Sequence, residues 1–494
     1  MIEQLYDAAV SGKDVRKNLI EIKQQLENEA SRQALEAHTG KDYKGLERLL
    51  FHEDGKTRKN AALILGKLKA QSALDTVFNA YVKEQQLFVR SAYVTAMRMM
   101  DCGKYMDALK ERRDYLEAGA FEANEVKHVQ EELKALYTLI LKEERPKKHK
   151  FTGYHLKHKV LLITVKGFED LTINLLPKEW NKKPFKGGVL VESDDLWQVL
   201  GLRTYKGLLF TFGKNRKMDA KPETIVQNIM EGHLLDYLDQ CHEGGGRYYF
   251  RVDVKGWRKD RPEFAKKVAA GLEQAARGRL VNTTTDYEME LRVVEGKDGM
   301  CSVFLKLYTI FDHRFDYREQ VVASSISPAA AATVMELAGP WLREEAQVLD
   351  PCCGVGTMLI ERDRKLKTRC MYGIDLYGEA LSGARINTDK SGCQIYYVQR
   401  DFYDFKHEYQ FDEIITNLPR VTAKSGKETV QRVYSHLFER MDDLLKDGGT
   451  AVVCGDLPEV FRELVAKSPW LKQKALRFLL PKDDYFAAVL VKVD

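Results

Sequence analysis

The sequence predicts a multidomain protein with an all-α N-terminal region, an α+β middle part and a C-terminal α/β domain. Residues 1–144 contain no proline and repeat apolar residues at three- and four-residue spacing, which is typical of packed helices. Residues 160–310 alternate helical stretches with short apolar runs, which predict strands at 160–165, 188–192, 248–254 and 289–294. In residues 347–494 buried strands alternate with helices, the pattern of a parallel, doubly wound sheet. We expect residues 145–159 to form a basic linker and residues 311–346 a connecting helical segment.

The N-terminal helical region contains a loose internal repeat. The pattern Arg58-x-x-Ala61-x-x-x-Leu65 is followed, 32 residues later, by a similar pattern that begins at Arg90. Together with Asp54, the first copy resembles a HEAT-type helical repeat. Stacked helix pairs of this type usually form a docking surface, so the resemblance implies a protein partner at this region. A plain helical bundle is the alternative interpretation.

The overall composition excludes several classes of protein. The 494 residues carry a net charge of +5, with 44% hydrophobic and 31% charged residues, as in an ordinary globular protein. No apolar run approaches the ~20 residues of a membrane span, and the first residues lack the pattern of a signal peptide. The eight cysteines show no zinc-type spacing. We therefore expect a cytoplasmic protein with no membrane span and no metal.

Two segments concentrate basic residues. Residues 145–160 contain six Lys or Arg and no acid, and residues 247–267 contain eight Lys or Arg against three acids, with aromatic residues interleaved. Basic groups neutralise phosphates and aromatic faces stack on unpaired bases, although a charge run is often only a solvated surface. The candidate RNA-binding residues are Lys147, Lys148, Lys150, Arg247, Arg251, Trp257, Arg258, Lys259 and Arg261.

The middle part resembles a known RNA-binding module. Residues 248–307 are similar to a THUMP domain, which occurs in enzymes that modify tRNA and rRNA. The lead-in through residues 187–189 and 202–204 resembles the small ferredoxin-like domain that precedes THUMP in those enzymes. This resemblance implies tRNA or another structured RNA as the partner. An α+β domain with a merely charged surface is the alternative.

Polar residues follow the apolar strands of the C-terminal part. Strand one, residues 347–349, leads into the loop from Asp350 to Thr357, which contains Gly354 and Gly356. The second strand ends at Asp375. Because open α/β sheets bind ligands at the carboxyl ends of their strands, we expect a cofactor there. The glycines allow close approach of the backbone, and the carboxylate is suited to ribose hydroxyls.

The third and fourth strands end in further candidate groups. Residues 395–398 lead to Asp401, which is placed to meet an adenine amino group, and to Phe402, which can lie on the ring. Residues 411–416 run into Asn417-Leu418-Pro419-Arg420. A dinucleotide site would need a third glycine where Leu359 stands.

This set of motifs resembles a class I S-adenosylmethionine (SAM)-dependent methyltransferase with a Rossmann-like fold. The resemblance covers residues 347–494, and the segment before strand one also contributes to the cofactor site in the family. It implies SAM as the cofactor. The residues implied to bind it are Ser325, Pro328, Asp350, Cys352, Gly354, Gly356, Thr357, Asp375, Leu376, Asp401, Phe402 and Asn417. We interpret Cys352 and its neighbour as small packing residues.

The tetrapeptide after strand four resembles the catalytic motif of enzymes that methylate exocyclic base nitrogens. The lone pair of such a nitrogen is delocalised into the ring, so the amine is a poor nucleophile. The Asn417 side-chain oxygen and the Leu418 carbonyl can accept its N–H bonds and aim the lone pair at the methyl group. Pro419 makes the turn rigid. An ordinary strand-end turn is the alternative.

Together, a THUMP-like domain and this motif resemble the tRNA guanine-N2 methyltransferases. The family's base-stacking aromatic residue is replaced here by Arg420, whose planar group can also stack on a base. The resemblance implies N2-methylation of a guanosine in tRNA, with Asn417, Leu418, Pro419 and Arg420 as catalytic residues. Two alternatives remain open: a methyltransferase that acts on guanine-N2 or adenine-N6 of rRNA, and an inactive adaptor that binds SAM and RNA.

Overall fold

The computed structural model describes residues 2–143, 148–256, 258–323, 325–423, 425–480 and 484–493. The chain divides into two compact units. The first comprises Met1–Lys148, Gly246–Phe250 and Leu272–Tyr287, and the second comprises His149–Gly245, Arg251–Gly271 and Glu288–Asp494.

The predicted all-helical N-terminal region is confirmed in the first unit. Its helices are α1 (Ile2–Val10), α2 (Val15–Gln25), α3 (Glu29–Thr39), α4 (Lys44–Leu49), α5 (Gly55–Lys67), α6 (Leu74–Lys83), α7 (Leu87–Met97), α8 (Met106–Ala118) and α9 (Val126–Glu143). Asp54 accepts hydrogen bonds from the Lys56 and Thr57 backbone amides and so caps the start of α5.

The two arginines of the sequence repeat meet at one glutamate. Arg58 on α5 forms two hydrogen bonds to the Glu84 carboxylate, at 2.7 and 2.8 Å. Arg90 on α7 donates to the Glu84 backbone carbonyl. Glu84 is buried, so the paired guanidinium of Arg58 offsets the cost of burying its charge. Arg58 also donates to the His52 carbonyl, six residues before it, as Arg90 does to the Glu84 carbonyl. The repeat therefore corresponds to equivalent contacts on two helices, while a HEAT-type repeat remains a prediction.

The middle of the chain alternates strands and helices. These are β1 (Lys150–Phe151), β2 (His158–Thr164), α10 (Glu169–Leu175), β3 (Lys182–Phe185), β4 (Gly188–Ser193), α11 (Leu196–Gly201), β5 (Tyr205–Thr211), β6 (Met218–Asp219), α12 (Pro222–Glu231), α13 (Leu234–Cys241), β7 (His242–Glu243), β8 (Tyr248–Lys255), α14 (Arg261–Ala275), β9 (Leu280–Asn282), β10 (Met289–Glu295) and β11 (Met300–Leu307).

In the second unit these strands form a sheet in the order β3-β4-β2-β5-β11-β10-β8. The pairs β3–β4, β2–β4, β2–β5, β5–β11 and β10–β11 are antiparallel. Within the first unit, residues 248–250 of β8 pair in parallel with β9. The four strands predicted in this part lie within two residues of their observed bounds, whereas β5 and β11 were not predicted.

The C-terminal part contains the second large sheet. Its elements are α15 (Pro328–Ala338), β12 (Ala346–Asp350), α16 (Thr357–Lys365), β13 (Thr368–Asp375), α17 (Gly378–Ser391), β14 (Tyr396–Gln399), β15 (Phe411–Asn417), α18 (Lys427–Leu444), β16 (Leu445–Gly455), α19 (Pro458–Lys467), β17 (Leu471–Leu480) and β18 (Tyr485–Lys492).

This sheet has the order β14-β13-β12-β15-β16-β18-β17. Strands β12 to β16 are parallel, as predicted, and the order reverses at β12 so that loops from both halves meet there. The expectation of a wholly parallel sheet is wrong, because β18 is antiparallel to β16 and to the unpredicted strand β17. Residues 446–449 lie in β16, at an irregularity in its register with β15.

Candidate active site

A cleft of about 380 Å³ opens at the carboxyl ends of the parallel strands. The loop after β12, the end of β13, the segment after β14 and the end of β15 all contribute to its walls. This is the position at which open α/β sheets bind ligands, because the loops on either side of a reversal in strand order diverge.

Two glycines shape the loop after β12. Gly354 and Gly356 have φ values of +53° and +79°, in the left-handed region that disfavours other residues. A Cβ atom on Gly356 would lie 2.4 Å from the Tyr397 hydroxyl, so a larger residue would displace the loop. The buried Thr357 hydroxyl, at the start of α16, has no hydrogen-bond partner within the described residues. The loop thus offers both space and a polar group to a ligand.

Asp375, at the end of β13, fixes this loop. One of its carboxylate oxygens accepts a hydrogen bond from the Gly354 amide at 2.9 Å, and the other accepts from the Tyr377 amide at 3.0 Å. Each oxygen keeps a lone pair for a further donor. Asp375 therefore holds the glycine loop in place and presents an acceptor to the cleft.

Asp350, Glu379 and Asp401 also line the cleft, which makes four carboxylates with Asp375. Burial raises the pKa of Asp350 to about 7, and the Cys352 amide that donates to its Oδ1 only partly offsets this effect. Asp401 accepts a hydrogen bond from the Tyr403 amide. SAM carries a sulfonium, an ammonium, two ribose hydroxyls and an adenine amino group, all of which are cations or donors. A cleft lined by four carboxylate side chains fits such a molecule.

The adjacent cysteines are part of the same loop. Burial and the neighbouring carboxylates raise the pKa of both the Cys352 and the Cys353 thiol well above the ordinary value. Both side chains are therefore neutral at physiological pH, which favours the packing role expected from the sequence. In the part of the chain that the structure describes, no group of three or more His, Cys, Asp or Glu side chains could hold a metal ion. No helix there has the length and apolarity to cross a membrane.

The opposite end of the cleft carries the tetrapeptide that follows β15. Asn417 and Pro419 line the cleft. The Tyr485 hydroxyl, at the start of β18, donates to the Asn417 side-chain oxygen and orients the amide. Leu418 is fully buried, and its backbone amide donates to the Cys454 carbonyl at 2.9 Å. The turn is thus anchored on both β16 and β18.

Arg420 does not line the cleft but lies beside Tyr485. Its guanidinium lies over the Tyr485 ring, 5.0 Å from the ring centroid, and its Nε is 3.8 Å from an Asp456 oxygen. Asp456 also accepts a hydrogen bond from the Val421 amide at 2.9 Å. The arginine side chain is 36% exposed, so it is held in one orientation and still presents surface to solvent.

The structure brings most of the predicted cofactor residues to one cleft. Those that line it are Ser325, Asp350, Cys352, Gly354, Thr357, Asp375, Leu376, Asp401, Phe402 and Asn417. Gly356 lies behind the loop against Tyr397, and Pro328 begins α15, where Ser327 caps the helix.

Several residues of the site were not predicted. Tyr377, Arg400, Val433 and His436 also line the cleft, and His436 stacks on Tyr403 with ring centroids 4.1 Å apart. Val433 and His436 lie three residues apart on α18, on the same side of the helix. The three-residue spacing of Val433 and His436 could not have predicted their place in the cleft, because any amphipathic helix has such spacing.

The predicted RNA-binding residues are more dispersed. Arg247, in the first unit, pairs with Glu117 and Asp114. In the second unit Arg251 pairs with the buried Glu290, and Arg258 with Asp260 and Glu295. The remaining described candidates, which are largely exposed, are Lys148, Lys150, Lys259 and Arg261. Lys147 and Trp257 lie outside the described residues.

Comparison with known proteins agrees with this geometry. Residues 316–482 match the family described as RMKL-like, methyltransferase domain. A curated relative, the tRNA (guanine(10)-N2)-dimethyltransferase of Methanothermobacter thermautotrophicus, is 28% identical over 136 residues, which cover 27% of this chain and 39% of the relative. The chain thus spans well under half of that relative's length.

Solved structures share the fold. TrmN from Thermus thermophilus has a TM-score of 0.53 and 22% identity, over 68% of this chain and 99% of that one. SMU.472, described as a methyltransferase and solved with SAH, has a TM-score of 0.52 and 15% identity, over 68% and 98% of the two chains. The order of the second sheet, the cleft at its reversal point and the family match lead to one conclusion: residues 316–482 are similar to a methyltransferase domain, and their cleft fits SAM as the cofactor.

Proposed function

We propose that this protein transfers a methyl group from SAM to the exocyclic N2 of a guanosine in tRNA. The observation that carries the proposal is the position of Asn417, which lines the same cleft as the glycine loop. A side-chain acceptor for an amine therefore lies within the cofactor cleft. The tRNA guanine-N2 activity in the name of the archaeal relative supports the choice of nucleotide.

The cofactor supplies a methyl group on a positively charged sulfur. The chain's own residues would bind and orient the amine. An amide oxygen can accept two hydrogen bonds, so the Asn417 oxygen, which accepts the Tyr485 hydroxyl, would also accept an N–H of the base. The Leu418 carbonyl would accept the second N–H. With both hydrogens held, the nitrogen lone pair points toward the methyl group, a carbon–nitrogen bond forms as the carbon–sulfur bond breaks, and one N–H proton leaves to solvent.

The proposal is tested by methyl transfer from labelled SAM to total RNA, with the tRNA and rRNA fractions assayed separately. The labelled nucleoside is identified by mass spectrometry. We expect N2-methylguanosine in the tRNA fraction. Label in rRNA, as N2-methylguanosine or N6-methyladenosine, would mean that the protein is an RNA methyltransferase whose substrate is rRNA and not tRNA. No transfer to either fraction, with SAM binding intact, would contradict the proposed activity.

The Asp375→Ala substitution should weaken SAM binding by about 10- to 100-fold, the effect of losing charge-assisted hydrogen bonds. It removes an acceptor from the cleft and releases the Gly354 amide. Isothermal titration calorimetry with SAM measures the change. Asp389→Ala, on the solvent-facing side of α17, is the matched control and should bind like the unsubstituted protein. Equal affinity for Asp375→Ala would mean that SAM is bound elsewhere.

Substitutions at Arg420 distinguish the enzyme hypothesis from the adaptor hypothesis. We propose that its guanidinium, supported by the Tyr485 ring and by Asp456, stacks on the target base. Arg420→Ala should then lower kcat/KM for RNA by about tenfold, the scale of one lost stacking contact, without changing SAM affinity. Arg420→Tyr should restore much of the rate. If the unsubstituted protein is inert and Arg420→Tyr creates activity, the adaptor hypothesis is correct.

The remaining parts of the hypothesis concern partners. We propose that the middle of the chain, with its THUMP-like sequence, binds structured RNA, and that the HEAT-like helices of the first unit bind a protein partner. The resemblance to tRNA-modifying enzymes supports the first statement, and the second rests on the resemblance to a helical repeat, with which the equivalent arginine contacts on α5 and α7 agree. A cytoplasmic location remains a prediction.

A further inference from the structure

A second and larger cavity, of about 950 Å³, lies on one face of the sheet in the middle of the chain. Its floor is a cluster of four apolar side chains, Leu161, Leu190, Leu209 and Phe304, with Ile163 packed against it. Leu161 is in register with both Leu190 and Leu209, so the floor runs continuously across β4, β2 and β5. We call this cavity the sheet groove.

The rim of the sheet groove is strongly basic. Its lining includes seven cationic side chains against two acidic ones, Glu295 and Asp298. The seven are Lys183, Lys186, Arg216, Lys217, Lys255, Arg292 and Lys297. Lys183 is in register with Leu190, and Arg292 with Phe304, so the charges flank the apolar floor directly. An excess of positive charge around an apolar surface suits a ligand that is anionic along its edge and flat and apolar at its centre.

Three of these cations form no salt bridge within the described part of the chain. Lys217 pairs with Asp298, and Arg292 with Glu290. By contrast, Lys183, Lys186 and Arg216 are exposed and form no salt bridge with any residue that the structure describes. Exposed cations without an internal partner are available to external phosphates. Contact between these side chains and an anion would cost little free energy, because no existing ion pair must be broken.

Aromatic side chains accompany these cations. Phe185 is 37% exposed at one end of the groove, next to Lys186, and Phe212 lies at the end of β5, near Arg216. Phe304 belongs to the floor. Bases stack on aromatic and apolar faces only when they are unpaired, because a duplex hides those faces inside its helix. The alternation of cations and aromatic residues therefore favours a single strand over a duplex.

We infer that the sheet groove binds a single-stranded segment of RNA, with bases on the apolar floor and phosphates at Lys183, Lys186 and Arg216. This inference rests on the proposed function for the choice of RNA as the partner. It differs from the sequence-based assignment of residues 247–261, in which Arg247, Arg251 and Arg258 are paired internally. The groove lies on strands β2 to β5, β10 and β11, and its three cations without a salt bridge come from β3, the segment after it and the loop after β5.

The test is binding of a fluorescently labelled single-stranded RNA of eight nucleotides to the full chain, followed by anisotropy at several salt concentrations. The Lys183→Glu/Lys186→Glu/Arg216→Glu protein should bind at least about tenfold more weakly. Each phosphate contact on a single strand contributes about 0.7 to the slope of log affinity against log salt, so the slope should fall by about two. The matched control, Lys467→Glu/Lys472→Glu/Lys474→Glu, has the same charge change on the exposed side of α19 and β17 and should bind normally.

A further variant and a stability measurement distinguish the loss of a stacking surface, and the loss of the fold, from the loss of charge. Phe185→Ala should weaken binding by about tenfold without changing the salt slope, because it removes a stacking surface and no charge. SAH-dependent thermal stabilisation, measured for every variant, reports whether the second unit is folded. Equal losses in the triple variant and its control, a preference for the duplex of the same sequence, or unchanged binding by the triple variant would each overturn the inference. Groove-dependent binding of an acidic peptide but not of RNA would also overturn it.

The groove and the proposed activity fail in different ways. Binding of the oligonucleotide does not require methyl transfer, so the two measurements are independent. Groove-dependent binding without any transfer to RNA would refute the proposed activity alone. The groove inference alone would be refuted if the triple variant binds the oligonucleotide as tightly as the unsubstituted protein does and also transfers methyl groups with the same rate and the same KM for RNA.

Discussion

We expect the Asn417→Ala protein to transfer methyl groups to RNA about 100- to 1000-fold more slowly than the unsubstituted protein, the usual effect of removing one well-placed polar group from a transition state. The alanine removes the oxygen that would hold the amine, and nothing replaces it within the cleft. SAM affinity should change by no more than a few-fold, since the glycine loop and Asp375 are intact. Initial rates under saturating SAM and calorimetric titration measure the two quantities.

Two variants sharpen this expectation. Tyr485→Phe leaves Asn417 in place but removes the hydroxyl that orients its amide, so kcat should fall by a smaller factor, about tenfold, with an unchanged KM. Asn181→Ala removes an exposed asparagine of the same unit and should have no effect. Full activity of Asn417→Ala would show that the tetrapeptide is an ordinary turn. If the Asn417→Ala protein loses both SAM binding and activity, Asn417 serves the cofactor and not the amine.

The sequence was informative about this site because its parts are local. The glycine loop is one continuous segment, Asp375 ends a clearly apolar strand, and Asn417 does the same two strands later. Each residue could be placed at a strand end without knowing which strands pair. Parallel strands then bring their carboxyl ends to one edge, so three local patterns predict one cleft.

The features that were not predicted depend on pairing between distant segments. Strand β17 begins with Leu-Lys-Gln-Lys, a polar sequence that suits an edge strand but gives no apolar alternation. Tyr485 reaches Asn417 only because β18 inserts between β16 and β17. The sheet groove likewise requires β2, β5 and β11 to be neighbours, although they are separated by long stretches of chain. No property of a single segment indicates these contacts.

A second large effect is expected on stability. Arg362 on α16 and Glu413 on β15 form a bidentate ion pair, at 2.6 and 2.8 Å, and both side chains are fully buried. Two of the three remaining guanidinium N–H groups donate to the carbonyls of Arg343 and Leu366. The pair joins the helix that follows the glycine loop to the strand that ends at Asn417. It therefore fixes the two halves of the active site to each other.

Glu413→Gln should lower the free energy of unfolding of the second unit by about 3–5 kcal/mol, because the guanidinium is left buried without a counter-charge. The double variant Arg362→Met/Glu413→Leu, in which no charge is buried, should recover most of that loss. Since a chain with two units need not unfold in one step, the transition to follow in urea is the one that shifts when SAH is added. A loss below about 1 kcal/mol for Glu413→Gln would mean that water or another group compensates the arginine. A double variant as unstable as the single one would mean that packing, and not charge, holds α16 on β15.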